Sequence, residues 1–168
     1  TVTTPQNGSG GEIMGIEATA SVPFDLFLPQ LEGFGAFVSV SNTESDIQPN
    51  PNDPSRPIEG LSELVVNSSV YFERYGFQAR LSNRYRSEFL GEGAGFGAGR
   101  DFRKVGAESV LDGQIGYEFQ SGALDGLSVL FQVNNLTDEP FYTFQNNDER
   151  FIQDHQVYGR TFLFGVNY

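Results

Sequence analysis

Hydrophobic and polar residues alternate along seven long segments of this 168-residue chain. The clearest segment is the last one, in which Phe162, Phe164, Val166 and Tyr168 occupy every second position. Because successive side chains of a strand point to opposite faces, this segment has one aromatic face and one small, mostly polar face. The same alternation predicts strands over about residues 12–24, 32–44, 63–75, 76–87, 107–120, 127–136 and 158–168.

The length of these segments and the spacing between them favour a membrane barrel. Strands of soluble proteins usually have about 5–6 residues, whereas a tilted strand that crosses a bilayer needs about 9–11. Long connections at 47–61, 88–106 and 138–157 alternate with short ones at 25–31, 73–76 and 121–126. Outer-membrane barrels have short periplasmic turns and longer outer loops, so we predict an all-β, transmembrane antiparallel barrel. We interpret the glycine-rich stretch 91–99 as a flexible outer loop.

Two other architectures are compatible with the alternation alone. A soluble β-sandwich binding module would bring the aromatic faces of two sheets together. A small closed outer-membrane barrel of a structural or adhesion type would need about one further strand. Dependence on detergent separates the sandwich from both membrane architectures.

Composition excludes several classes of function but says little about the fold. The net charge of −12 argues against a nucleic-acid partner. The chain has no Cys, which excludes disulfides and thiolate chemistry, and it has no apolar run long enough for a transmembrane helix. His155 is the one histidine, so a metal site is not expected, and no nucleophile context indicates an enzyme. We therefore predict no enzyme activity, no cofactor and no metal.

A positively charged row is predicted on the fourth segment, where Arg80, Arg84 and Arg86 share one face. An arginine facing lipid at mid-depth would cost about 2–4 kcal/mol, so we expect this row to face the lumen. There it would attract an anionic substrate or pair with acids, and we favour the pairing. The expected acidic partners on neighbouring strands are Glu73, Asp112 and Glu118.

Three motifs resemble one family when they are taken together. The run Asn135-Leu136-Thr137-Asp138 is similar to a motif on the penultimate strand of TonB-dependent outer-membrane receptors. The later run Gly159-Arg160-Thr161-Phe162 resembles the start of their last strand, and the stretch Tyr75–Ser87 resembles a strand further upstream. The stretch Tyr75–Ser87 is especially similar to the receptor group common in Caulobacter- and Xanthomonas-like bacteria.

The resemblance implies both an architecture and a location. Residues 1–168 would be the last seven strands of a 22-stranded barrel, with the plug domain and the preceding strands absent from this chain. The parent would lie in the outer membrane of a Gram-negative bacterium and import a small nutrient, such as a siderophore or carbohydrate, with energy from TonB. The expected partners are outer-membrane lipid, the nutrient, TonB through the absent N-terminal part, and the barrel-assembly machinery.

Within this framework two sets of residues have different expected roles. Phe162, Phe164, Val166 and Tyr168 would face lipid and form the strand that is recognised during assembly. The motif residues Asn135 and Asp138 are open to two interpretations, a ligand contact or a strand exit. Because Asn and Asp side chains bond locally to backbone and favour turns, we favour the strand exit.

Overall fold

The strands of this protein form two antiparallel sheets. The computed structural model describes residues 9–49, 51, 54–94, 100–145 and 148–168, with side chains at all of them except 92–94, 100 and 101. The strands are β1 (Gly10–Pro23), β2 (Phe34–Gln48), β3 (Leu64–Arg74), β4 (Phe77–Arg86), β5 (Phe89–Ala94), β6 (Arg100–Val105), β7 (Glu108–Glu118), β8 (Ser128–Asn134), β9 (Phe141–Phe144), β10 (Ile152–Gln156) and β11 (Thr161–Asn167).

The larger sheet contains the seven predicted strands in the order β1-β2-β3-β4-β7-β8-β11. Each strand pairs antiparallel with its neighbour, which confirms the predicted all-β antiparallel fold. Short connections at 24–33, 75–76 and 119–127 lie along one edge of this sheet. Long connections at 49–63, 87–107 and 135–160 lie along the opposite edge, as the sequence predicts. The sheet is open, with β1 and β11 at its two ends.

The register places the apolar side chains of all neighbouring strands on one face. One row of directly paired residues crosses six strands, since same-face side chains meet across an antiparallel ladder. The row is Phe34, Phe72, Ala79, Ile115, Phe131 and Phe164. This face is uncovered in the described part of the chain, since Ile115 is 46% exposed and Phe164 is 72% exposed. A sandwich would cover it with a second apolar sheet, so the structure does not favour that alternative.

The hairpin between β3 and β4 fixes the register of the central strands. Its two turn residues, Tyr75 and Gly76, have φ angles of 54° and 78°. Two consecutive positive φ angles are typical of a type I′ turn, whose twist matches that of the flanking strands. The turn therefore continues the ladder without an extra residue, and Arg74 pairs directly with Phe77.

The second sheet corrects the interpretation of two long connections as loops. Hairpin β5–β6 lies within 87–107 and hairpin β9–β10 lies within 135–160, and together they form the order β10-β9-β6-β5. The glycine-rich stretch was predicted to be a flexible loop, but β5 runs through Ala94; residues 95–99 lie outside the described ranges. We call this four-stranded sheet the outer sheet.

The outer sheet contains the best-packed side chain of the described residues. Phe144 is 1% exposed, and Thr143 and Val105 beside it are also buried. The ring of Tyr142 stacks on Phe144 with centroids 6.2 Å apart. The Gly106 N–H donates to the Tyr142 carbonyl at 3.0 Å, which joins the end of β6 to β9. The two hairpins are thus held together by a small core of their own.

No helix in the described ranges is long and apolar enough to cross a membrane.

The packing at Gly106 generates a prediction. A Cβ atom at this buried position would overlap the Tyr142 ring, so Gly106→Ala should displace the ring and destabilise the outer sheet by about 1–3 kcal/mol. Hydrogen exchange of the β6 and β9 amides in the intact protein measures this effect. The matched control is Gly165→Ala, because the nearest atom to a Cβ there is Leu130 Cβ at 3.9 Å. Equal exchange in both variants would contradict the packing role of Gly106.

Candidate functional site

The polar face of the seven-stranded sheet carries a row of ion pairs. Arg80, Arg84 and Arg86 alternate along β4 and therefore point to this one face. Arg84 Nη2 lies 3.3 Å from Asp112 Oδ2, as the sequence interpretation expects. Arg80 Nη2 lies 3.2 Å from Glu73 Oε1. Each arginine is thereby matched by a carboxylate on an adjacent strand.

The partner of the third arginine differs from the one expected. Arg86 pairs directly with Glu108 in the β4–β7 ladder, and its Nη2 atom lies 3.1 Å from Glu108 Oε2. Glu118 was expected as a partner, but it lies at the other end of β7, where its N–H donates to the Gly76 carbonyl. Glu108, Asp112 and Glu118 share a face by spacing, so spacing alone could not select among them.

An aromatic residue lies beside the first ion pair. The guanidinium of Arg80 lies 5.5 Å from the ring centroid of Tyr71, close enough for a cation–π contact. Tyr71 extends across Gly35, where a Cβ atom would overlap its ring. A shallow depression lined by Ser69, Tyr71, Glu73 and Arg80 results at the short-connection end of the polar face.

The outer sheet is stabilised by charged contacts in addition to its core. Arg103 Nη1 lies 2.7 Å from Asp154 Oδ2, which also accepts a hydrogen bond from Thr143 Oγ1 at 3.1 Å. Lys104 Nζ forms an ion pair with Glu88. These contacts join β6 to β10 and β9, and β6 to the start of its own hairpin.

The long connection between β2 and β3 also contacts the outer sheet. The Gly60 N–H donates to the Leu90 carbonyl at 2.8 Å. The Arg56 guanidinium lies 4.1 Å from the ring centroid of Phe102 and forms an ion pair with Glu59 at 2.9 Å. The described residues of all three long connections (49–63, 87–107 and 135–160) thus meet in one folded region, which we call the outer lobe.

Three groups in the outer lobe, Tyr142, Asp148 and Arg150, have displaced pKa values. The Arg150 guanidinium, helped by the Arg150 backbone N–H, lowers the pKa of Asp148 below its usual value. Burial raises the pKa of the Tyr142 hydroxyl, and the negative charges of Glu149, Glu88 and Glu139 raise it further. Asp148 and Arg150 thus form an ion pair at the tip of the β9–β10 hairpin.

The motif residues Asn135 to Asp138 form a turn at the end of β8. Asn135 and Asp138 have φ angles of 57° and 58°, a region that Asn and Asp tolerate better than most residues. The Asn135 side-chain amide donates to the Glu139 carbonyl at 3.1 Å and accepts from the Glu139 N–H at 2.8 Å. Its backbone N–H donates to Asp112 Oδ1 at 2.9 Å. Asn135 therefore closes its own turn and joins that turn to β7.

The second motif fastens the start of β11 to the same turn. Arg160 Nε donates to the Leu136 carbonyl at 2.7 Å, and Asn135 Nδ2 donates to the Gly159 carbonyl at 3.3 Å. Gly159 has a φ angle of 74°, which favours glycine. The two motifs, separated by twenty residues, therefore form one structural corner that joins β7, β8 and β11. Thr137, like Arg160, is an exposed residue of this corner.

Comparison with models of protein families assigns the chain to a family. The family model described as TonB dependent receptor-like, beta-barrel, matches residues 1–136. The chain belongs to this family. Its members are outer-membrane receptors and transporters of Gram-negative bacteria, not enzymes. Neither the curated proteins nor the solved structures contain a match to the chain.

The terminal strand lies beyond the part of the TonB-dependent receptor chain that the family model matches. In β11, Phe162, Phe164 and Val166 pair with Val133, Phe131 and Val129 and continue the apolar face. All residues of β11 are exposed, and Tyr168 follows the strand with 87% exposure. Phe162, Phe164 and Val166 thus lie on the apolar face of an end strand of the sheet, and the assembly role of these residues and Tyr168 stays a prediction.

Sequence reasoning missed the residues that organise the outer lobe. Phe141-Tyr142-Thr143-Phe144 is a run of aromatic and β-branched residues, which is a strand signal in itself. The pairing of Asp154 with Arg103 depends on contact between two hairpins and has no local signal. Among the described residues, no three His, Cys, Asp or Glu side chains are grouped as they would be to hold a metal ion.

The corner at Asn135 generates a second prediction. Asn135→Ala removes three side-chain hydrogen bonds and puts Ala, which tolerates the left-handed conformation less well than Asn, at this position. We therefore expect a loss of about 2–4 kcal/mol. Asn135→Gly removes the same hydrogen bonds but relieves the backbone cost, so it should be about 1 kcal/mol less destabilising. Chemical denaturation in lipid vesicles measures both values. Thr137→Ala is the control, and an equal effect of all three substitutions would contradict this role.

Proposed function

We propose that this chain forms the C-terminal wall of a TonB-dependent receptor that imports a small nutrient. One observation carries the proposal: seven antiparallel strands share a single apolar face, and all their long connections lie along one edge. Lipid solvates the apolar face of such a wall, and the polar face lines the lumen. The outer lobe would then lie outside the cell and the short connections in the periplasm.

The open sheet supports a position within a larger barrel. A closed barrel has no strand edges, whereas β1 and β11 are here the two ends of the sheet. We propose that residues 1–168 are the last seven strands of a 22-stranded barrel and that the plug and the segment that contacts TonB belong to the rest of the receptor. The edge of β11 would pair with the first strand of the barrel, and its aromatic face would be recognised by the assembly machinery.

The arginine row then has a structural role in the lumen. Arg80, Arg84 and Arg86 each have a carboxylate within 3.3 Å on a neighbouring strand. Cross-strand opposite charges stabilise a sheet by roughly 0.2–1 kcal/mol each. We propose that these pairs stabilise the wall and that Asp112 also supports the Asn135 corner. Glu118, at the periplasmic end of the same face, would be the acid left to meet the plug.

Charge in the outer lobe favours one class of nutrient. Its three connections contain eleven Asp and Glu residues and six Arg and Lys residues. The five cations whose side chains the structure describes are already engaged: Arg56, Arg103, Lys104 and Arg150 with carboxylates, and Arg160 with a backbone carbonyl. An anionic ligand would be repelled by this part of the vestibule. We therefore favour an uncharged organic nutrient, such as a carbohydrate, over an anionic ferric siderophore.

The lipid face can be tested with two adjacent serines. Ser68 pairs with Val38 and Asn83 on the apolar face, and Ser69 pairs with Phe37 and Ser82 on the polar face. Ser68→Lys should destabilise the intact receptor in vesicles by about 2–4 kcal/mol, because a lysine at mid-depth meets lipid. Ser69→Lys, the same change one residue later, should cost much less. Equal costs measured by denaturation would refute the face assignment.

The nutrient class can be tested by growth. A strain without the intact receptor should grow poorly on one uncharged carbon source supplied at low concentration, and it should grow normally on each chelated iron source. Plasmid-borne receptor should restore growth, and a receptor with its TonB-contacting segment deleted should not. Loss of growth on an anionic iron chelate alone would overturn the carbohydrate proposal and leave the receptor assignment intact. Normal growth on every source would overturn both.

A further inference from the structure

The connection between β1 and β2 is unusually apolar for a turn that faces an aqueous compartment. Of the eight residues from Phe24 to Leu31, five have large apolar side chains. Three consecutive ones project outward: Leu26 and Phe27 are each 72% exposed and Leu28 is 54% exposed. A run of this kind in contact with water is unfavourable, so its exposure indicates that another phase or molecule covers it.

The local structure makes this connection compact. Two successive 3-10 turns, Phe24–Leu26 and Pro29–Leu31, form it. The N–H groups of Phe27 and Leu28 both donate to the Phe24 carbonyl at 3.1 Å. A 3-10 turn rises only about 2 Å per residue, so the segment stays near the end of its strands. Backbone groups satisfied in this way can leave bulk water at little cost.

The apolar face of the sheet continues directly into this connection. Phe34 begins β2, only three residues after Leu31, and its ring lies 4.5 Å from the ring of Phe72. Phe72 in turn lies 5.9 Å from Phe77. These rings form an aromatic belt at the short-connection end of the apolar face, and such belts mark the boundary between lipid and water. Arg74 and Glu32, an ion pair at 2.6 Å, lie beside it.

The thickness of the lipid headgroup region matches the length of the β1–β2 connection. The headgroup region adds about 5–8 Å on each side of the hydrocarbon core. The 3-10 turn Phe24–Leu26 spans about 6 Å, which is within the depth of this region. The hydrogen bonds from the Phe27 and Leu28 N–H groups to the Phe24 carbonyl keep these two residues close to that turn. In the β7–β8 connection (119–127), on the same edge, small or polar residues separate the large apolar ones, which are Phe119, Leu124 and Leu127. Of the three short connections, only the β1–β2 connection presents adjacent large apolar side chains that are exposed.

We propose that the β1–β2 connection is an interfacial anchor, with Leu26, Phe27 and Leu28 inserted into the inner leaflet of the outer membrane. The occupant of this surface is the phospholipid interface, since the connection continues the aromatic belt. The anchor would fix the depth and tilt of this part of the wall. The proposal rests on the lipid-face assignment above.

Single nitroxide labels test the proposal in the intact receptor reconstituted in phosphatidylethanolamine–phosphatidylglycerol vesicles. This chain has no Cys, so one introduced cysteine gives one label here once cysteines elsewhere in the receptor are replaced by serine. The test sites are Phe27→Cys and Leu28→Cys. Val70→Cys, on the apolar face, is the lipid control, and Ala123→Cys, in the β7–β8 connection, is the aqueous control. Power saturation measures collisions with oxygen, which concentrates in lipid, and with a water-soluble nickel complex.

Labels at positions 27 and 28 should collide more with oxygen than with nickel, at a depth between those of positions 70 and 123. Behaviour like position 123 would overturn the anchor and place the connection in water. Protection from both reagents would also overturn it, because the connection would then be packed against protein. If position 70 is itself accessible to nickel, the lipid-face assignment fails as well, and that result is distinct from failure of the anchor alone.

Discussion

The unbroken antiparallel ladder of the seven-stranded sheet is the constraint on which the rest of this structure depends. Within lipid, each unpaired backbone group costs several kcal/mol, so a wall must satisfy its N–H and C=O groups between strands. Packing cannot replace the ladder here, because the buried hydrophobic side chains of the described residues are only Val105, Val133 and Phe144. A sheet that buries so little must obtain its stability from hydrogen bonds along the ladder and from the solvent on each face. The backbone groups on the free edges of β1 and β11 need hydrogen-bond partners as well, which strands beyond this sheet would supply.

Outside the membrane the physical problem changes, and so does the architecture. In the proposed orientation the outer lobe is in water, where long connections gain nothing from lipid and must find a core of their own. The structure meets this need by pairing two hairpins around Phe144 and by linking them through Arg103, Asp154 and Thr143. These contacts hold the described residues of the lobe in one arrangement, so a ligand of the proposed receptor would meet a surface that is already formed there, and less entropy would be lost on binding.

The predictability of each part follows from the range of the interactions that determine it. Period-two alternation is local, and it located all seven wall strands and the face of Arg80, Arg84 and Arg86. The outer hairpins have short strands, and their pairing comes from contacts between distant segments, so alternation did not reveal them. The choice of Glu108 over Glu118 depends on the β4–β7 register across a long connection. Only at Asn135 did side-chain chemistry suffice, because an amide that bonds its own turn acts within a few residues.

The corner at Asn135 shows how the wall positions its last strand. Strand β11 is joined to β8 by a connection of about 26 residues, which by itself fixes no register. Arg160 and Gly159 bring the start of β11 to the turn that ends β8, and Asp112 links that turn to β7. The register of β11 is thus determined at its outer end, before the ladder runs toward Tyr168. A strand fixed in this way presents its free edge at one height, which is what a closing partner strand needs in order to pair without slipping, since a slip of one residue would turn every aromatic side chain to the lumen.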